Sequence, residues 1–189
     1  MHPRVALFDF DGTLVDSDRA LTQPFVDLGV PEARLPPLGL PLAEACRRAG
    51  ITVEAYVERY DATAAQPFDG VPELLSALDR WGLASNKQRD AGRHELARLG
   101  WTPTAAFFSD DFGGQEKELG PLLAALGIAP EEAVYVGDTH HDRACASVLG
   151  IPFALAGWNA RARATAGPDD LVLTHPRQVL GLLARSADN

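Results

Sequence analysis

The sequence predicts an α/β fold with three layers, in which a parallel sheet lies between helices on its two faces. Two observations lead to this prediction. Short apolar segments recur along the chain, and segments with the apolar spacing of helices lie between them. Strands that alternate with helices form parallel sheets, because each connecting helix packs back against the sheet. The 189 residues are enough for one such core and a small second unit, but not for two large domains.

The predicted strands are short apolar runs, which are typical of strands buried on both faces. The first ends at Asp11 and Gly12, a pair typical of a turn. The runs cover residues 5–10, 81–85, 105–109, 133–137, 152–156 and 171–173.

The predicted core helices begin near prolines or end at glycines. Pro72 and Pro121 stand near the starts of two helices, and Gly100, Gly127 and Gly150 follow the last apolar residues of three. Proline fits the first turn of a helix, and glycine fits the position after its end. These signals place helices between the strands, as the fold requires.

Residues 16–66 interrupt the alternation, because no convincing strand lies among them. Their middle, residues 31–41, is rich in proline and glycine. The helix-like pieces cover residues 20–28, 41–49 and 53–65. We therefore expect a small α-helical cap inserted after the first strand, with residues 1–15 and 67–189 forming the core. The alternative is that these helices belong to a layer of the core.

The chain is acidic, with 17 basic and 26 acidic side chains and a net charge of −9. Nucleic acids and anionic membranes are therefore poor partners, because both repel an acidic protein. No uncharged apolar run approaches the roughly 20 residues of a membrane helix, and the first residues show no signal-peptide pattern. Cys46 and Cys145 lie far apart in the sequence, which favours free thiols in a reducing compartment. These features predict a cytoplasmic protein.

Polar side chains with oxygen atoms follow three of the predicted strands, at the edge where open parallel sheets bind ligands. They are Asp9 and Asp11 after the first strand, Ser85 and Asn86 after the next, and Asp138 and Asp142 after residues 133–137. Two carboxylates about 4 Å apart repel by about 4 kcal/mol at an effective dielectric constant near 20, so such a cluster takes up a proton or a cation. Oxygen ligands suit Mg²⁺, which would also reduce the repulsion between a carboxylate and a phosphate dianion.

Asp9 and Asp11 face the same side if the chain is extended there, because side chains alternate along a strand. One carboxylate can then attack phosphorus while the other handles the proton of the leaving oxygen. The Ser85 hydroxyl and the ammonium of Lys117, which precedes a predicted helix, can donate to phosphate oxygens. Lys87 is a weaker candidate for the same role.

Four motifs resemble those of the haloacid dehalogenase superfamily, in its phosphatase branch. Residues 9–15 resemble the first motif, residues 85–87 the second, Lys117 the third and residues 137–142 the fourth. Their order is the same, and they span nearly the whole chain. The resemblance implies a Rossmann-like core and a phosphatase that hydrolyses a small phosphorylated metabolite, as a monomer or homodimer.

The resemblance also implies a role in catalysis or phosphate binding for five residues. Asp9 is the expected nucleophile, which forms an aspartyl-phosphate. Asp11 is the expected general acid and then the general base that activates water. Ser85, Asn86 and Lys117 are expected to bind the phosphate.

The metal implied by the resemblance is Mg²⁺. Its expected ligands are the Asp9 carboxylate, the Asp11 backbone carbonyl and Asp138. Asp142 and Thr13 are expected to support these groups without binding the metal, with Asp142 orienting Lys117 or a water on the metal.

Within the superfamily, three stretches of the chain resemble phosphoglycolate phosphatases and their relatives. They are residues 16–17, 68–75 and 85–88. Two features depart from that pattern: Glu118 follows Lys117 where proline is common, and the cap is short. A small cap closes less of a pocket, which favours a larger or less strictly selected substrate.

Three alternative functions stay open. A phosphomutase of the β-phosphoglucomutase type uses the same two aspartates, but a histidine is expected in place of Leu21, and valine is more common than Thr13. A C–halogen dehalogenase has no need of the acid Asp11. A binding or regulatory protein on the same scaffold is disfavoured because every catalytic position is filled.

Several other polar residues have simpler interpretations. His140 and His141 suggest a transition metal, but we expect them to be rim or substrate-facing side chains. Asp110 and Asp111 follow another strand and are expected in a solvated loop. Cys145 has helical spacing with apolar neighbours and is expected in the core.

Overall fold

The computed structural model describes residues 3–183. Residues 1–2 and 184–189, which belong to the predicted core, lie outside the described residues. The strands are β1 (Val5–Phe8), β2 (Val15–Asp16), β3 (Gln66–Pro67), β4 (Trp81–Ala84), β5 (Ala105–Phe107), β6 (Ala133–Gly137), β7 (Phe153–Ala156) and β8 (Val172–Leu173). The α-helices are α1 (Asp18–Asp27), α2 (Leu42–Ala49), α3 (Val53–Val57), α4 (Val71–Ser76), α5 (Arg89–Leu99), α6 (Gly120–Leu126), α7 (His140–Val148) and α8 (Ala160–Ala164).

The main sheet has the strand order β5-β4-β1-β6-β7-β8, and every neighbouring pair is parallel. The chain order runs outward from β1 to β5 on one side and from β6 to β8 on the other. The direction of winding therefore changes between β1 and β6, the place where open α/β sheets bind ligands. The predicted α/β fold with a parallel sheet is confirmed.

Strand β1 separates two apolar clusters because its side chains alternate between the faces of the sheet. Ala6 and Phe8 pack on one face with residues of α4 and α5. Val5 and Leu7 pack on the other face with residues of α6 and α7. All four side chains are at most 2% exposed, so the strand is fixed between two helical layers and its end is held in place.

The 16–66 segment contains α1, α2 and α3, with an apolar cluster of its own that includes Phe25, Cys46 and Tyr56. The expectation that no strand lies there was wrong at its two ends, where β2 and β3 form a two-residue antiparallel pair. A pair this short leaves no periodic pattern in the sequence. The role of this segment as a cap stays a prediction.

The helix predicted over residues 53–65 is shorter than expected and ends at Val57. A 3₁₀ turn follows at Ala62–Ala64, where the Asp61 side chain accepts a hydrogen bond from the Thr63 backbone N–H at 2.8 Å. Aspartate competes in this way with helical hydrogen bonds. None of the helices within residues 3–183 has the length and apolar character needed to cross a membrane.

Candidate active site

The site lies where β1, β4 and β6 end side by side. Asp9 follows β1, Ser85 follows β4 and Asp138 follows β6, and all three are at most 6% exposed. The Asp9 backbone N–H still donates to the Val136 carbonyl at 3.0 Å, which continues the ladder for one residue past the strand. Asp9, Asp138 and Asp142 each offer a carboxylate oxygen, and these oxygens lie within 4.8 Å of one another.

Lys117 lies between two of these carboxylates. Its Nζ is 2.5 Å from Asp9 Oδ1 and 2.6 Å from Asp142 Oδ1, and its side chain is 2% exposed. Burial opposes the charge, but Asp142 and Asp9 together raise the pKa of Lys117 well above its ordinary value. Burial raises the pKa of Asp9, against the attraction of Lys117 and together with Asp142 and Asp138. Asp9 Oδ2 accepts no hydrogen bond from the described residues.

Both carboxylate oxygens of Asp142 accept hydrogen bonds from other side chains. Oδ1 accepts from Tyr135 at 3.1 Å in addition to the contact with Lys117, and Oδ2 accepts from Thr139 Oγ1 at 2.6 Å. Thr139 caps α7 and accepts in return from the Asp142 N–H at 3.2 Å. Burial raises the pKa of Asp142, but Lys117 and Thr139 outweigh it, so the pKa of Asp142 lies below its ordinary value. Asp142 thus contacts Lys117, while the prediction that it orients Lys117 stays a prediction.

Asp138 receives two donors from distant parts of the chain. Thr13 Oγ1 donates to its Oδ1 at 3.2 Å, and the Arg161 guanidinium donates to its Oδ2. Arg161 also forms a double hydrogen bond with Asp18 at 2.6 and 3.0 Å. Burial and the nearby Asp142 raise the pKa of Asp138 to about 7, although Arg161 opposes the shift.

Two glycines allow the close approach of these side chains. Gly12 has φ +79°, and a Cβ there would lie 2.3 Å from Asp138 Oδ2. A Cβ on Gly137 would lie 2.4 Å from the Asp142 side chain. Any larger residue at either position would force the carboxylates apart.

Asp11 belongs to a second buried group of charges. Lys87 Nζ donates to the two oxygens of Asp11 at 3.0 and 3.2 Å and lies 3.1 Å from Glu95 Oε1. Tyr60 donates to Glu95 at 2.8 Å and accepts from Lys87 at 3.1 Å. Burial opposes the charge on Lys87, but Asp11, Tyr60 and Glu95 raise its pKa. Lys87, the weaker candidate for phosphate binding, is therefore engaged with Asp11.

The motif after β4 contributes two side chains with different surroundings. Ser85 Oγ accepts from the Lys87 N–H at 3.2 Å, and its own proton is not used by any described residue. The Asn86 amide donates to the Gly39 carbonyl at 2.7 Å and accepts from the Lys117 N–H at 2.8 Å. Asn86 therefore connects the 16–66 segment to the loop that carries Lys117.

A cavity of about 160 Å³ is lined by Asp9 and Asp11 together with Ser85, Asn86 and Lys87. The remainder of its lining comes mainly from the 16–66 segment. The structure thus brings both predicted catalytic carboxylates to one cavity.

Three residues at the site had no predicted role: Tyr60, Glu95 and Arg161. Arg161 lies just after the Gly157–Asn159 stretch, whose side chains Trp158 and Asn159 donate to the Thr13 and Gly12 carbonyls at 2.9 Å each. Arg161 itself has no periodic or motif signal in the sequence. Tyr60 and Glu95 come from separate segments and meet only in the folded chain.

The histidines and aspartates for which the sequence predicts no catalytic role lie outside the carboxylate cluster. His140 is exposed, and His141 Nε2 is 3.5 Å from Glu116. Asp110 and Asp111 are exposed and hold the start of α5 through Arg89, at 2.7 and 2.5 Å.

Cys145 packs against the apolar cluster beneath α6 and α7, and its Sγ donates to the Lys117 carbonyl at 3.2 Å. Val148, an apolar residue three positions after Cys145 in α7, is instead 82% exposed. The helical spacing therefore identified the buried face of α7 only in part.

Known proteins resemble this chain along most of its length. A phosphoglycolate phosphatase from Xylella fastidiosa is 31% identical over 192 residues, covering 85% of this chain and 82% of that protein. A phosphoglycolate phosphatase from Xanthomonas campestris pv. campestris is 34% identical over 200 residues, covering 89% and 87%. The crystal structure of a HAD-superfamily hydrolase from Geobacter sulfurreducens shares the fold, with a TM-score of 0.70, 23% identity and coverage of 96% and 100%.

The sequence profile of haloacid dehalogenase-like hydrolases matches residues 6–156, which include Asp9, Ser85, Lys117 and Asp138. The prediction that the chain is an enzyme of the phosphatase class is confirmed by this match and by the two relatives. The chain therefore belongs to the haloacid dehalogenase-like hydrolase family.

Proposed function

We propose that this phosphatase is Mg²⁺-dependent and hydrolyses a small phosphomonoester through an aspartyl-phosphate on Asp9. One observation carries the proposal: Lys117 holds Asp9 through Oδ1 at 2.5 Å, while Oδ2 has no hydrogen bond from the described residues and Asp9 lines the cavity. A carboxylate fixed through one oxygen presents the other for attack, and fixed orientation lowers the entropy cost of the reaction.

The first half of the reaction transfers the phosphoryl group to the enzyme. Asp9 Oδ2 forms a bond to phosphorus as the bond from phosphorus to the ester oxygen breaks. Asp11 gives its proton to that leaving oxygen, which departs as an alcohol. In the second half Asp11 takes a proton from water, the water oxygen bonds to phosphorus, and the Asp9 carboxylate is released with inorganic phosphate.

Two side chains are suited to hold the phosphate oxygens. The Ser85 hydroxyl keeps its proton available for a substrate oxygen, and the Lys117 ammonium places a positive charge beside Asp9. The Asn86 amide has one N–H beyond the hydrogen bond to Gly39 and can add a third donor.

The oxygen atoms of the residues that follow β1 and β6 fit a magnesium ion. Asp9 and Asp138 are buried carboxylates whose pKa values are raised by burial, and a divalent cation favours their ionised forms. Gly12, which has no side chain, lets Asp138 Oδ2 and the Arg161 guanidinium approach the backbone after β1. Asp9, Asp138 and the Asp11 carbonyl would hold the ion, which supplies positive charge against the phosphoryl oxygens. Asp142 and Thr13 would hold the surrounding groups in place.

We also propose that the 16–66 segment acts as a cap over the cavity. It supplies most of the cavity lining and is joined to the core side chains by the Asn86–Gly39 and Tyr60–Lys87 hydrogen bonds. A cap of this kind excludes water from the phosphoryl group during transfer.

The test measures release of inorganic phosphate from phosphomonoesters by the wild type, by Asp9→Asn and by Asp169→Asn, a control at an exposed aspartate. We expect Asp9→Asn to lose at least about a thousandfold in kcat, as nucleophile variants do, and the control to match the wild type. A chelator should silence the wild type, and added Mg²⁺ should restore it. Activity of Asp9→Asn near the wild-type rate, or full activity in chelator, would refute the proposal.

A further inference from the structure

The cavity beside Asp9 has an unusual chemical lining for an enzyme that acts on small anionic metabolites. Its volume of about 160 Å³ is close to that of an engineered apolar cavity, about 150 Å³, that binds benzene. Most of the side chains that the 16–66 segment contributes are aliphatic or aromatic. They include Leu21, Phe25, Leu38, Leu40, Leu42 and Tyr56.

The 16–66 segment, all of which the structure describes, contributes no charged side chain to the cavity lining. It has five arginines, but they pair elsewhere or lie outside the lining. Arg47 and Arg48 both contact Glu44, at 2.8 and 2.6 Å, on the surface of α2. No arginine of the segment is therefore positioned to neutralise a charge on the substrate.

The hydroxyl groups that the segment contributes to the lining already donate hydrogen bonds to other groups of the protein. Tyr56 OH donates to the Leu21 carbonyl at 3.0 Å, and Thr22 Oγ1 donates to the Asp18 carbonyl at 2.8 Å. Tyr60 OH donates to Glu95 at 2.8 Å. A hydroxyl has one proton, so none of the three has a donor left for a substrate carboxylate or phosphate.

The ammonium group of Lys87, the lysine in the lining, also has no spare hydrogen-bond donor. Lys87 Nζ lies within 3.2 Å of Asp11, Tyr60 and Glu95, which together use its three protons. Pro36 and Pro37, also in the lining, have no backbone N–H to offer. Three lining side chains keep a donor: Gln88, which is exposed, and Ser85 and Asn86, which we assign to the phosphate oxygens. A carboxylate placed among the side chains of the 16–66 segment would lose its water and gain no side-chain hydrogen-bond donor from them.

From this lining we infer that the preferred substrate is a phosphomonoester whose alcohol part is uncharged and apolar, the size of a single ring or a short branched chain. The inference rests on the proposed function, since it names the substrate class of the same site. It separates this chain from enzymes whose substrate carries a carboxylate on the alcohol part.

The test compares kcat/KM for benzyl phosphate, ethyl phosphate and phosphoglycolate, with Mg²⁺ present and inorganic phosphate as the readout. All three are phosphates of primary alcohols, so the comparison mainly varies what occupies the cavity. We expect benzyl phosphate to exceed both others by at least about tenfold, the smallest effect of one apolar group in a fitting pocket. Phosphoglycolate turned over as well as benzyl phosphate would overturn the inference and leave the proposed function standing.

A pair of matched variants tests the lining directly. Val57 lines the cavity and is 51% exposed, whereas Val26 is 50% exposed and is not among the lining residues. Both sites tolerate a lysine because both face water. We expect Val57→Lys to shift the ratio of kcat/KM toward phosphoglycolate by up to about fivefold, the upper limit for an exposed ion pair, and Val26→Lys to leave it unchanged. Equal ratios in the two variants would count against the inference.

Binding to Asp9→Asn separates failure of the inference from failure of the proposed function. Calorimetry with this variant measures affinity without turnover. Tighter binding of benzyl phosphate than of phosphoglycolate supports the inferred substrate class even where hydrolysis fails, and a wild type inactive on all three esters refutes the proposed function. Tighter binding of phosphoglycolate overturns the inference alone.

Discussion

Replacing Asp138 by asparagine is expected to stabilise the metal-free protein, although it removes a proposed metal ligand. Asp138 is 1% exposed, and its pKa rises from an ordinary 3.8 to about 7 on folding. Each pKa unit corresponds to 1.36 kcal/mol, so the ionised carboxylate costs about 4 kcal/mol in the folded state. This figure already includes the attraction of Arg161, which lowers the pKa. Arg161 keeps its ion pair with Asp18 in the variant.

The pH dependence follows from the direction of the shift. Between pH 3.8 and about 7 the folded state holds a proton on Asp138 that the unfolded state has lost, so raising the pH destabilises the fold across this range. Asparagine has no such dependence. The advantage of Asp138→Asn is therefore close to zero near pH 4 and grows to as much as about 4 kcal/mol above pH 7.

The assay is denaturant unfolding in chelator at a series of pH values, with Asp169→Asn as the control. Added Mg²⁺ should then stabilise the wild type, by about 2.7 kcal/mol at a hundredfold excess over its dissociation constant, and have much less effect on Asp138→Asn. A free energy of unfolding for Asp138→Asn at or below the wild-type value at pH 8 would refute the reasoning.

Two further substitutions test the acid and the glycine beside it. Asp11→Asn should slow hydrolysis of alkyl phosphates by about 10²–10⁴-fold, since a poor leaving group needs a proton, and slow 4-nitrophenyl phosphate much less; an equal loss with both substrates contradicts the role of Asp11. Gly12→Ala should lower the free energy of unfolding by about 1–3 kcal/mol more than Gly29→Ala. Gly12 and Gly29 have φ of +79° and +78°, but of the two only Gly12 has other groups within 4 Å of the added Cβ, namely Asp138 and Arg161. Similar losses in both, measured by denaturant unfolding, would show that the contact with Asp138 is unimportant.

The parts of the site that the sequence predicted are those controlled by local pattern and by topology. A buried strand that ends in a turn places Asp9, and parallel strands bring Ser85 and Asp138 to the same edge. Asp142 follows Asp138 by four residues and lies in the first turn of α7. Its capping contacts with Thr139 join residues that are close in sequence. These features depend on neighbours in sequence or on the direction of the strands.

The remaining features depend on contacts between segments far apart in the chain. Arg161 reaches both Asp138 and Asp18, the latter 143 residues away, and nothing in its own neighbourhood indicates either contact. The sequence alone does not distinguish Lys87 from a phosphate-binding lysine. In the folded chain Lys87 contacts Glu95, Tyr60 and Asp11. Such pairings are decided by side-chain packing in the folded chain.

Contacts within the candidate active site join residues that lie more than 100 positions apart in the chain. Lys117 and Asp9 are 108 positions apart, and Thr13 and Asp138 are 125 apart. During synthesis Asp9, the proposed nucleophile, therefore emerges long before Lys117 and Asp138, and these contacts form only after β6 has been made and has paired with β1. An N-terminal fragment that ends before Lys117 lacks the ammonium, Asp138 and Asp142, and so cannot assemble the carboxylate cluster around Asp9.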